Sequence, residues 1–255
     1  MTRFDLSGRK ALVTGSSRGI GAATARLLAA SGARVALHYN KAREAAEGVL
    51  ASLEGEGHAI FQAELGDPEA ARKLVADAVE ALGGLDLLVN NAGIFEYHPL
   101  TEVSYDQWQD HWQRTISLNL MGPAWLSWCA GRHMVEQGGG KIINITSRGA
   151  FRGEPDSPAY GASKAGMNSL SQSLAKALAP HKVLVYAVAP GFVETDMAAF
   201  LLDSPVGEEI RRQSPLGRTA RPEEMARIIA FLASEGTDYL TGSIIDANGA
   251  SYLRN

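Results

Sequence analysis

The stretch Thr14-Gly15-Ser16-Ser17-Arg18-Gly19-Ile20-Gly21 decides the fold, because it joins a short apolar run at residues 10–14 to a segment of helical spacing at 20–30. Glycine tolerates the sharp turn that leaves a strand, and it lets the backbone approach a bulky ligand closely. A helix that begins here presents unpaired N–H groups and a partial positive charge. The stretch therefore predicts a strand–turn–helix unit that can bind the pyrophosphate of a dinucleotide.

The same alternation of short apolar runs and helical segments continues along the chain. Several runs are apolar almost throughout, which is typical of parallel strands that are covered on both faces. We predict a single domain over residues 1–255: an α/β, Rossmann-like, doubly wound parallel sheet of about seven strands with helices on both faces. The predicted strands lie at residues 10–14, 34–38, 58–63, 85–90, 141–145, 183–188 and 243–246.

One predicted helix carries clear boundary signals. Asp67 can cap it, Pro68 fits its first turn and Gly83-Gly84 ends it. Another helix is predicted at residues 222–234. Residues 192–215 mix glycine, proline and charge, and we predict that this segment is a mobile flap over the site.

Composition excludes several classes of protein. The 255 residues are 45% hydrophobic and 20% charged, as in globular rather than disordered or fibrous proteins. The net charge of −4 gives no field that would recruit nucleic acid or an anionic membrane. Cys129 is the single cysteine, so no intramolecular disulfide can form. No apolar run suits a membrane span or a signal peptide, and no histidine spacing suits a metal, so we expect a cytoplasmic protein without a metal site.

Further motifs follow the glycine turn, which has the spacing G-x-x-x-G-x-G, in a fixed order. They are Asn90-Asn91-Ala92-Gly93 after the fourth predicted strand, Asn119, Ser147, the Y-x-x-x-K pair Tyr160 and Lys164, and Pro190-Gly191 after the sixth predicted strand. In spacing and order these motifs resemble the short-chain dehydrogenase/reductase family, over essentially the whole chain from about Leu6 to Tyr252.

The resemblance implies a catalytic set of Asn119, Ser147, Tyr160 and Lys164. Tyr160 and Lys164 are four residues apart on a predicted helix and therefore share a face. Tyr160 would act as the general acid/base, and Lys164 would lower its pKa and hold the cofactor's ribose. Ser147 would hydrogen-bond the substrate oxygen. Asn119, in a helix predicted over 105–132, would position a water that passes protons towards Lys164.

The end of the second predicted strand bears on the choice of cofactor. An acid there favours NAD, but this chain has Tyr39-Asn40-Lys41, and Arg18 in the glycine turn can grip a phosphate. We therefore favour NADP(H) over NAD(H). Glu64 stands where relatives usually have Asp near the adenine. The residues that the resemblance places at the cofactor are Gly15, Ser17, Arg18, Gly19, Ile20, Gly21, Tyr39, Asn40, Lys41, Glu64, Leu65, Asn91, Ala92, Gly93, Tyr160, Lys164, Pro190, Gly191, Val193 and Thr195.

The loops after the fourth, fifth and sixth strands should line the substrate pocket. The runs at 190–197 and 241–249 resemble most closely the 3-oxoacyl-[acyl-carrier-protein] reductases, in which basic residues dock the carrier protein. Arg132 matches one of these residues, and Lys176 stands in place of an Arg. Sugar, steroid and other secondary-alcohol dehydrogenases share these runs and stay open as alternatives, because a fold does not fix a substrate. The pocket candidates are Phe95, Ser147, Arg148, Phe151, Tyr160 and Phe192.

Four other features of the chain bear on its function, its assembly and its packing. A protein that keeps the fold as a non-catalytic NADP-binding sensor or scaffold is the alternative of another class, although all four catalytic residues are present. Trp108, Trp112, Trp125 and Trp128 follow helical spacing and indicate a core or a helix–helix interface. In relatives the matching helix pairs with its copy, which implies a homotetramer. Tyr186 stands where relatives mostly have Asn.

Overall fold

The computed structural model describes residues 4–254, apart from the side chain of Phe200. Its sheet contains seven parallel strands in the order β3-β2-β1-β4-β5-β6-β7. This order confirms the predicted doubly wound sheet, and each predicted strand agrees with the structure to within two residues. The strands are β1 (Lys10–Val13), β2 (Arg34–Tyr39), β3 (Ala59–Gln62), β4 (Leu87–Asn90), β5 (Gly140–Ile145), β6 (Val183–Pro190) and β7 (Ile244–Ala247).

Helices connect the strands and cover both faces of the sheet. The α-helices are α1 (Gly19–Ala30), α2 (Arg43–Ala51), α3 (Pro68–Leu82), α4 (Tyr105–Ile116), α5 (Gly122–Gln137), α6 (Gly149–Arg152), α7 (Pro158–Leu178), α8 (Asp196–Leu202), α9 (Gly207–Arg212) and α10 (Pro222–Ala233). A π-helical turn, Ser117–Met121, joins α4 to α5, and short 3-10 turns occupy Ala179–His181 and Asp238–Leu240. No helix in the described part of the chain is long and apolar enough to cross a membrane.

Two hydrophobic cores lie on the two faces, because side chains along a strand point alternately to opposite sides. In β1, Ala11 and Val13 pack with α1, α2 and α10, whereas Leu12 packs with α3, α5 and α7. These three side chains are fully buried. The continuous apolar runs of the sequence are therefore explained by burial on both faces.

Helix α3 has the boundaries that its signals predict. The Asp67 carboxylate accepts hydrogen bonds from the backbone N–H groups of Glu69 and Ala70. Pro68 occupies the first turn, and Gly83 ends the helix in the left-handed region with φ of 72°. Local capping chemistry was sufficient to define this element.

The helix predicted over 105–132 is instead interrupted by the π-helical turn Ser117–Met121. Pro123 has no N–H to donate to the carbonyl of Asn119, four residues earlier, so the regular α-helical ladder cannot continue through this point. A Cβ on Gly122 would lie 2.8 Å from the Leu65 carbonyl oxygen, which shows how closely the helix passes the β3–α3 connection. The interruption places Asn119 in a fully buried position beside the loop after β4.

The segment 192–215, predicted as a mobile flap, contains regular secondary structure, while its mobility stays a prediction. It contains α8 and α9, and Val193 forms a parallel bridge with Ala220. The Arg211 guanidinium donates to the Leu202 carbonyl, which joins the two short helices. Its glycine and proline residues concealed these helices, since elements of six or seven residues leave too little periodicity to detect.

Candidate active site

The carboxyl ends of β1 and β4 are locked together by polar side chains. The Thr14 hydroxyl accepts hydrogen bonds from the backbone N–H groups of Asn91 (2.9 Å) and Ala92 (3.0 Å). The Asn91 amide donates to the carbonyls of Thr14 (2.9 Å) and Gly15 (3.1 Å). Parallel strands deliver these residues to one edge of the sheet, where ligands bind in doubly wound folds.

The glycine turn forms a cradle that side chains would fill. Gly15 and Gly19 have φ of 62° and 55°, in the left-handed region. A Cβ on Gly15 would lie 2.9 Å from the Ala92 Cα, and one on Gly21 would lie 2.3 Å from the Gly15 carbonyl oxygen. The N-terminus of α1 has neither a side-chain cap nor an acidic residue in its first turn. Its N–H groups therefore suit an anion, and the cradle fits the pyrophosphate of a dinucleotide.

His38, at the end of β2, fixes the base of the glycine turn. Its Nδ1 accepts from the Gly15 N–H at 3.0 Å, and its Nε2 lies 3.1 Å from the Ala63 carbonyl oxygen. These partners require a neutral ring protonated at Nε2. Burial lowers the pKa of His38, which favours the same form.

The side chains of Asn40 and Glu64 bind each other. The Asn40 amide donates to Glu64 Oε2 at 2.6 Å, and Glu64 Oε1 accepts from the Gly66 N–H at 3.2 Å. Arg18 extends from the turn with two-thirds of its side chain exposed, and its Nη1 lies 3.5 Å from the Asp196 carboxylate. The Asn40 amide therefore holds the Glu64 carboxylate at the end of β2, and the Arg18 guanidinium faces Asp196.

A cavity of about 890 Å³ runs from the glycine turn past the ends of β4, β5 and β6 to the helices α8 and α9. Most residues predicted at the cofactor or the substrate line it. The predicted residues in the lining are Gly15, Ser17, Arg18, Gly19, Ile20, Tyr39, Asn40, Lys41, Leu65, Asn91, Ala92, Gly93, Phe95, Ser147, Arg148, Tyr160, Lys164, Pro190, Gly191, Phe192, Val193 and Thr195.

Four predicted residues lie outside this lining. Gly21 packs against the turn itself, Glu64 points to Asn40 and Gly66, and Asn119 is buried behind the wall. Phe151 was expected in the substrate pocket, but its ring lies under the Arg254 guanidinium at 4.3 Å. It sits in the short helix α6, which turns the Phe151 ring towards the C-terminal segment.

Ser147 and Tyr160 converge on the cavity from different elements. Ser147 follows β5, and its hydroxyl accepts from the Gly149 N–H at 3.0 Å. Tyr160 lies in the first turn of α7, and its ring meets the Phe95 ring edge-on at 5.0 Å. Burial raises the pKa of Tyr160 to about 12, and the nearby Ser147 hydroxyl opposes this rise. The phenol therefore holds its proton at neutral pH.

Lys164 lies one turn further along α7, as the spacing predicted. It is buried, its ammonium donates to the Ile145 carbonyl at 2.8 Å, and its Nζ lies 5.7 Å from the centre of the Tyr160 ring. Burial lowers the pKa of Lys164 to about 8. The predicted lowering of the tyrosine pKa is not found among these residues by themselves, because desolvation of the phenol is the larger effect.

Asn119 clamps the loop that follows β4. Its Oδ1 accepts from the Ile94 N–H at 2.8 Å, and its Nδ2 donates to the Ile94 carbonyl at 2.9 Å. The same Nδ2 lies 3.3 Å from the Ser163 hydroxyl. The Asn119 amide therefore connects the π-helical turn, the loop after β4 and helix α7. Its role in positioning a water stays a prediction.

Several residues of the site were missed from the sequence. Thr14 and His38 secure the glycine turn, and Thr146 lines the cavity beside Ser147. His98 is fully buried; its Nδ1 lies 2.7 Å from the Glu96 carbonyl oxygen, and its Nε2 accepts from the Ala159 N–H at 3.3 Å, directly before Tyr160. Position at a strand end could have indicated Thr14 and His38, but no local signal indicates His98.

Tyr186 has a structural place away from the cavity. Its hydroxyl donates to the Thr237 carbonyl at 3.2 Å, and its ring lies 5.8 Å from the Lys141 ammonium. Lys141 in turn donates to the carbonyls of Leu232 and Ser234, at the C-terminus of α10. The departure from Asn thus serves the packing of α10 on the sheet. Within residues 4–254, no cluster of His, Cys, Asp or Glu is arranged to hold a metal ion.

Comparison with known proteins agrees with this geometry. A family model described as enoyl-(acyl carrier protein) reductase matches residues 15–249. A 3-oxoacyl-[acyl-carrier-protein] reductase of Aquifex aeolicus is 37% identical, with coverage of 97% of this chain and 98% of the relative. A versicolorin reductase of Emericella nidulans is 36% identical, with coverage of 98% and 97%. A crystal structure of a short chain dehydrogenase from Burkholderia cenocepacia J2315 in complex with NADP has a TM-score of 0.88 at 36% identity, with coverage of 96% of this chain and 98% of that chain.

Proposed function

Because the chain belongs to the short-chain dehydrogenase/reductase family and is an NAD(P)-dependent oxidoreductase, we propose that it transfers a hydride between NADP(H) and a carbonyl or secondary-alcohol carbon. A 3-oxoacyl thioester is the favoured substrate, supported by the name of the Aquifex aeolicus relative. Sugar, steroid and other secondary alcohols are the alternatives, and the relative named versicolorin reductase shows that similar chains carry names for different substrates.

The observation that carries the proposal is the meeting of the anion cradle and a proton donor in one cavity. Gly15 and Gly19 line one end of it, and Ser147, Tyr160 and Lys164 line the middle. A nicotinamide dinucleotide bound there supplies or accepts the hydride. The protein itself orients the substrate and supplies the proton.

Each catalytic side chain has a distinct task in this proposal. Tyr160 donates its phenolic proton to the carbonyl oxygen as the oxygen gains charge, and it keeps that proton beforehand because its pKa is near 12. Ser147 donates a second hydrogen bond to the same oxygen. The Lys164 ammonium holds the cofactor ribose and favours proton loss from Tyr160 by its charge. Asn119 holds the Ile94 backbone and, as we further propose, a water for proton return.

The preference for NADP(H) rests on the end of β2 and on the glycine turn. Asn40 stands where an acid would repel a 2′-phosphate, and the exposed Arg18 guanidinium lines the same cavity. A guanidinium pairs well with a phosphate through two parallel hydrogen bonds. The structural relative from Burkholderia cenocepacia is described in complex with NADP, which supports the same choice.

The direct experiment is NADPH oxidation with a panel of carbonyl compounds. The panel contains a 3-oxoacyl thioester, a sugar ketone, a steroid ketone and simple ketones. We expect turnover of at least one class, and turnover of the thioester above the others would support the favoured substrate. If NADPH binds but no carbonyl compound is reduced, the non-catalytic sensor or scaffold replaces the enzyme as the better account.

Carrier-protein docking and assembly are parts of the same proposal. Arg132 is two-thirds exposed, although its guanidinium pairs with Glu136, and Lys176 is exposed, so an acidic carrier can reach both side chains. Trp128 on α5 is 66% exposed, and Met121 is exposed nearby in the chain. An exposed tryptophan on this helix suits an interface with a second copy, and we propose a homotetramer. Light scattering of the purified protein measures its mass directly, and a monomer would reject that assembly.

A further inference from the structure

Arg148 differs from the other arginines of the described chain because it is buried, with 3% of its surface exposed. It follows Ser147 directly, and its own N–H donates to the Pro190 carbonyl at 2.9 Å, which fixes its backbone. Its guanidinium donates to the Ser251 hydroxyl and to the side-chain Oε1 of Gln213, and it lies over the Phe192 ring at 4.9 Å. Each of these partners is neutral.

The guanidinium has no counter-charge in contact with it. Among residues 4–254, no carboxylate oxygen lies within 4.0 Å of Arg148, whereas ten exposed or half-buried arginines do form such pairs. Burial lowers the pKa of Arg148 to about 10, so it is still a cation at neutral pH. A buried cation with no carboxylate in contact is costly; the Glu154 charge acts on this one from beyond contact distance.

Arg148 also stands at a wall that two cavities share. It lines the main cavity together with Ser147, Tyr160, Arg152 and Gln213. With Phe192 and Ile210 it also borders a second cavity of about 210 Å³. A ligand whose carbonyl oxygen lies at Ser147 and Tyr160 therefore occupies the same cavity that Arg148 lines.

We propose that Arg148 binds a carboxylate of the substrate, so that the enzyme acts on oxo acids or hydroxy acids rather than on neutral ketones. The inference rests on the proposed hydride transfer, and it puts an oxo or hydroxy acid in place of the 3-oxoacyl thioester as the substrate. Two of the five guanidinium N–H groups are used by Ser251 and Gln213, which leaves donors for a carboxylate. Arg152, about one-third exposed, adds a second cation at the same wall.

A singly charged anion fits this wall better than a phosphate dianion. Glu154, Asp156 and Glu209 also line the cavity, so each additional negative charge on the ligand meets repulsion. Glu154 lies 4.0 Å from Arg152 Nε, and burial raises the pKa of its carboxyl. One carboxylate balances Arg148 without competing with the Arg152–Glu154 pair.

The test compares each oxo acid with its own methyl ester. Acids with one, two or three methylene groups between ketone and carboxylate are assayed with NADPH, each beside its ester. For at least one length we expect kcat/KM of the acid to exceed that of the ester about 10- to 100-fold, as for a charged hydrogen-bonded pair. Esters or a 3-oxoacyl thioester reduced as fast as the acids would overturn the inference while leaving the proposed oxidoreductase intact.

Variants locate the effect at Arg148. In Arg148→Gln the acid-to-ester ratio should fall about 10- to 100-fold. Arg227→Gln, an exposed arginine on α10, makes the same change in charge and should leave the ratio as it is. An equal fall in both variants, or none in Arg148→Gln, would contradict the assignment. Melting temperature and NADPH binding of each variant establish that it is folded.

A binding measurement separates this inference from the proposed reaction. Calorimetric titration of the oxo acids into the protein with NADP⁺ present does not need turnover. Binding of an acid that is at least tenfold tighter than binding of its ester, and that is lost in Arg148→Gln, would support the subsite even if no carbonyl were reduced. Absence of that difference would reject the subsite even if ketones were reduced.

Discussion

The two ends of the cavity are built in different ways. The end proposed for the cofactor, called the cofactor end below, is formed by the glycine turn around Gly15, Gly19 and Gly21. Backbone atoms approach one another so closely there that a methyl group added at Gly21 has no room. At the end proposed for the substrate, called the substrate end below, the long side chains of Arg148, Phe192 and Gln213 form the wall. The backbone cradle of the glycine turn leaves little freedom in the shape of the ligand it binds. The side-chain wall can change its ligand preference through substitutions that do not alter the fold.

This difference separates the residues that we expect to control folding and cofactor binding from those that we expect to control substrate selectivity. Tyr160 and Lys164 lie between the two ends, on a helix whose register is fixed by Asn119 and His98. Substitutions at the cofactor end should therefore affect folding and binding together. Substitutions at the centre and the substrate end should affect chemistry or selectivity and leave folding largely intact.

Tyr160→Phe is the largest test of that separation. Removal of the phenolic proton should lower kcat about 1,000-fold, within the usual range for a general acid. The ring contact with Phe95 survives, so NADPH binding and melting temperature should change little. Tyr239→Phe, at a fully exposed tyrosine, is the matched control and should keep full activity. Unchanged kcat in Tyr160→Phe would remove this residue from the proposed reaction.

Gly21→Ala should damage the cofactor end more than any other single methyl group. The new Cβ would lie 2.3 Å from the Gly15 carbonyl oxygen and 2.6 Å from the Asn91 amide nitrogen. Because both atoms belong to the locked edge of β1 and β4, relief requires a backbone shift that costs about 3 kcal/mol of unfolding free energy. Denaturant unfolding measures the loss, and dinucleotide affinity should fall with it. A variant as stable as the parent would show that the turn is looser than its geometry indicates.

The burial of Lys164 predicts a dependence of stability on pH. Its pKa near 8 in the folded protein lies below the ordinary value of 10.5, so between these pH values the unfolded chain binds more protons. The cost of burying the charge is complete below pH 8 and is relieved as the pH rises towards 10.5. The unfolding free energy of the parent minus that of Lys164→Met should therefore rise over this range, by about 1.4 kcal/mol per pH unit at most. A difference that is flat with pH would mean that Lys164 is not desolvated.

Arg18→Ala tests cofactor selectivity at the exposed rim of the cradle. Loss of a charged pair with a 2′-phosphate should weaken NADPH binding about 10- to 100-fold and leave NADH binding nearly unchanged. Fluorescence titration with both cofactors gives the ratio. Arg26→Ala, at an exposed arginine of α1, the helix that Arg18 directly precedes, is the control for a general effect of charge. Equal losses for the two cofactors would place Arg18 away from the phosphate.

The strand–turn–helix geometry of the glycine turn could be predicted from the sequence because its constraints are local. Glycines at a strand–helix junction, a cap at Asp67 and apolar strands each leave a pattern in neighbouring residues. The substrate end was predicted poorly because its contacts join distant residues: Arg148 meets Ser251 and Gln213. Phe151 was misplaced for the same reason, since no spacing reveals that its ring faces Arg254.

Gly48→Ala should have the smallest effect of these variants, and only on the unfolding free energy. It separates the effect of steric crowding at a glycine from the effect of the low helix propensity of glycine. Gly48 lies within α2, is exposed, and a Cβ there would meet nothing within 4 Å. Alanine is the better helix former, so the unfolding free energy should rise by about 0.5–1 kcal/mol, with no change in NADPH affinity. Denaturant unfolding of this variant beside Gly21→Ala compares one chemical change in two helices. If both glycines responded alike, intrinsic helix propensity rather than close backbone approach would govern the cofactor end.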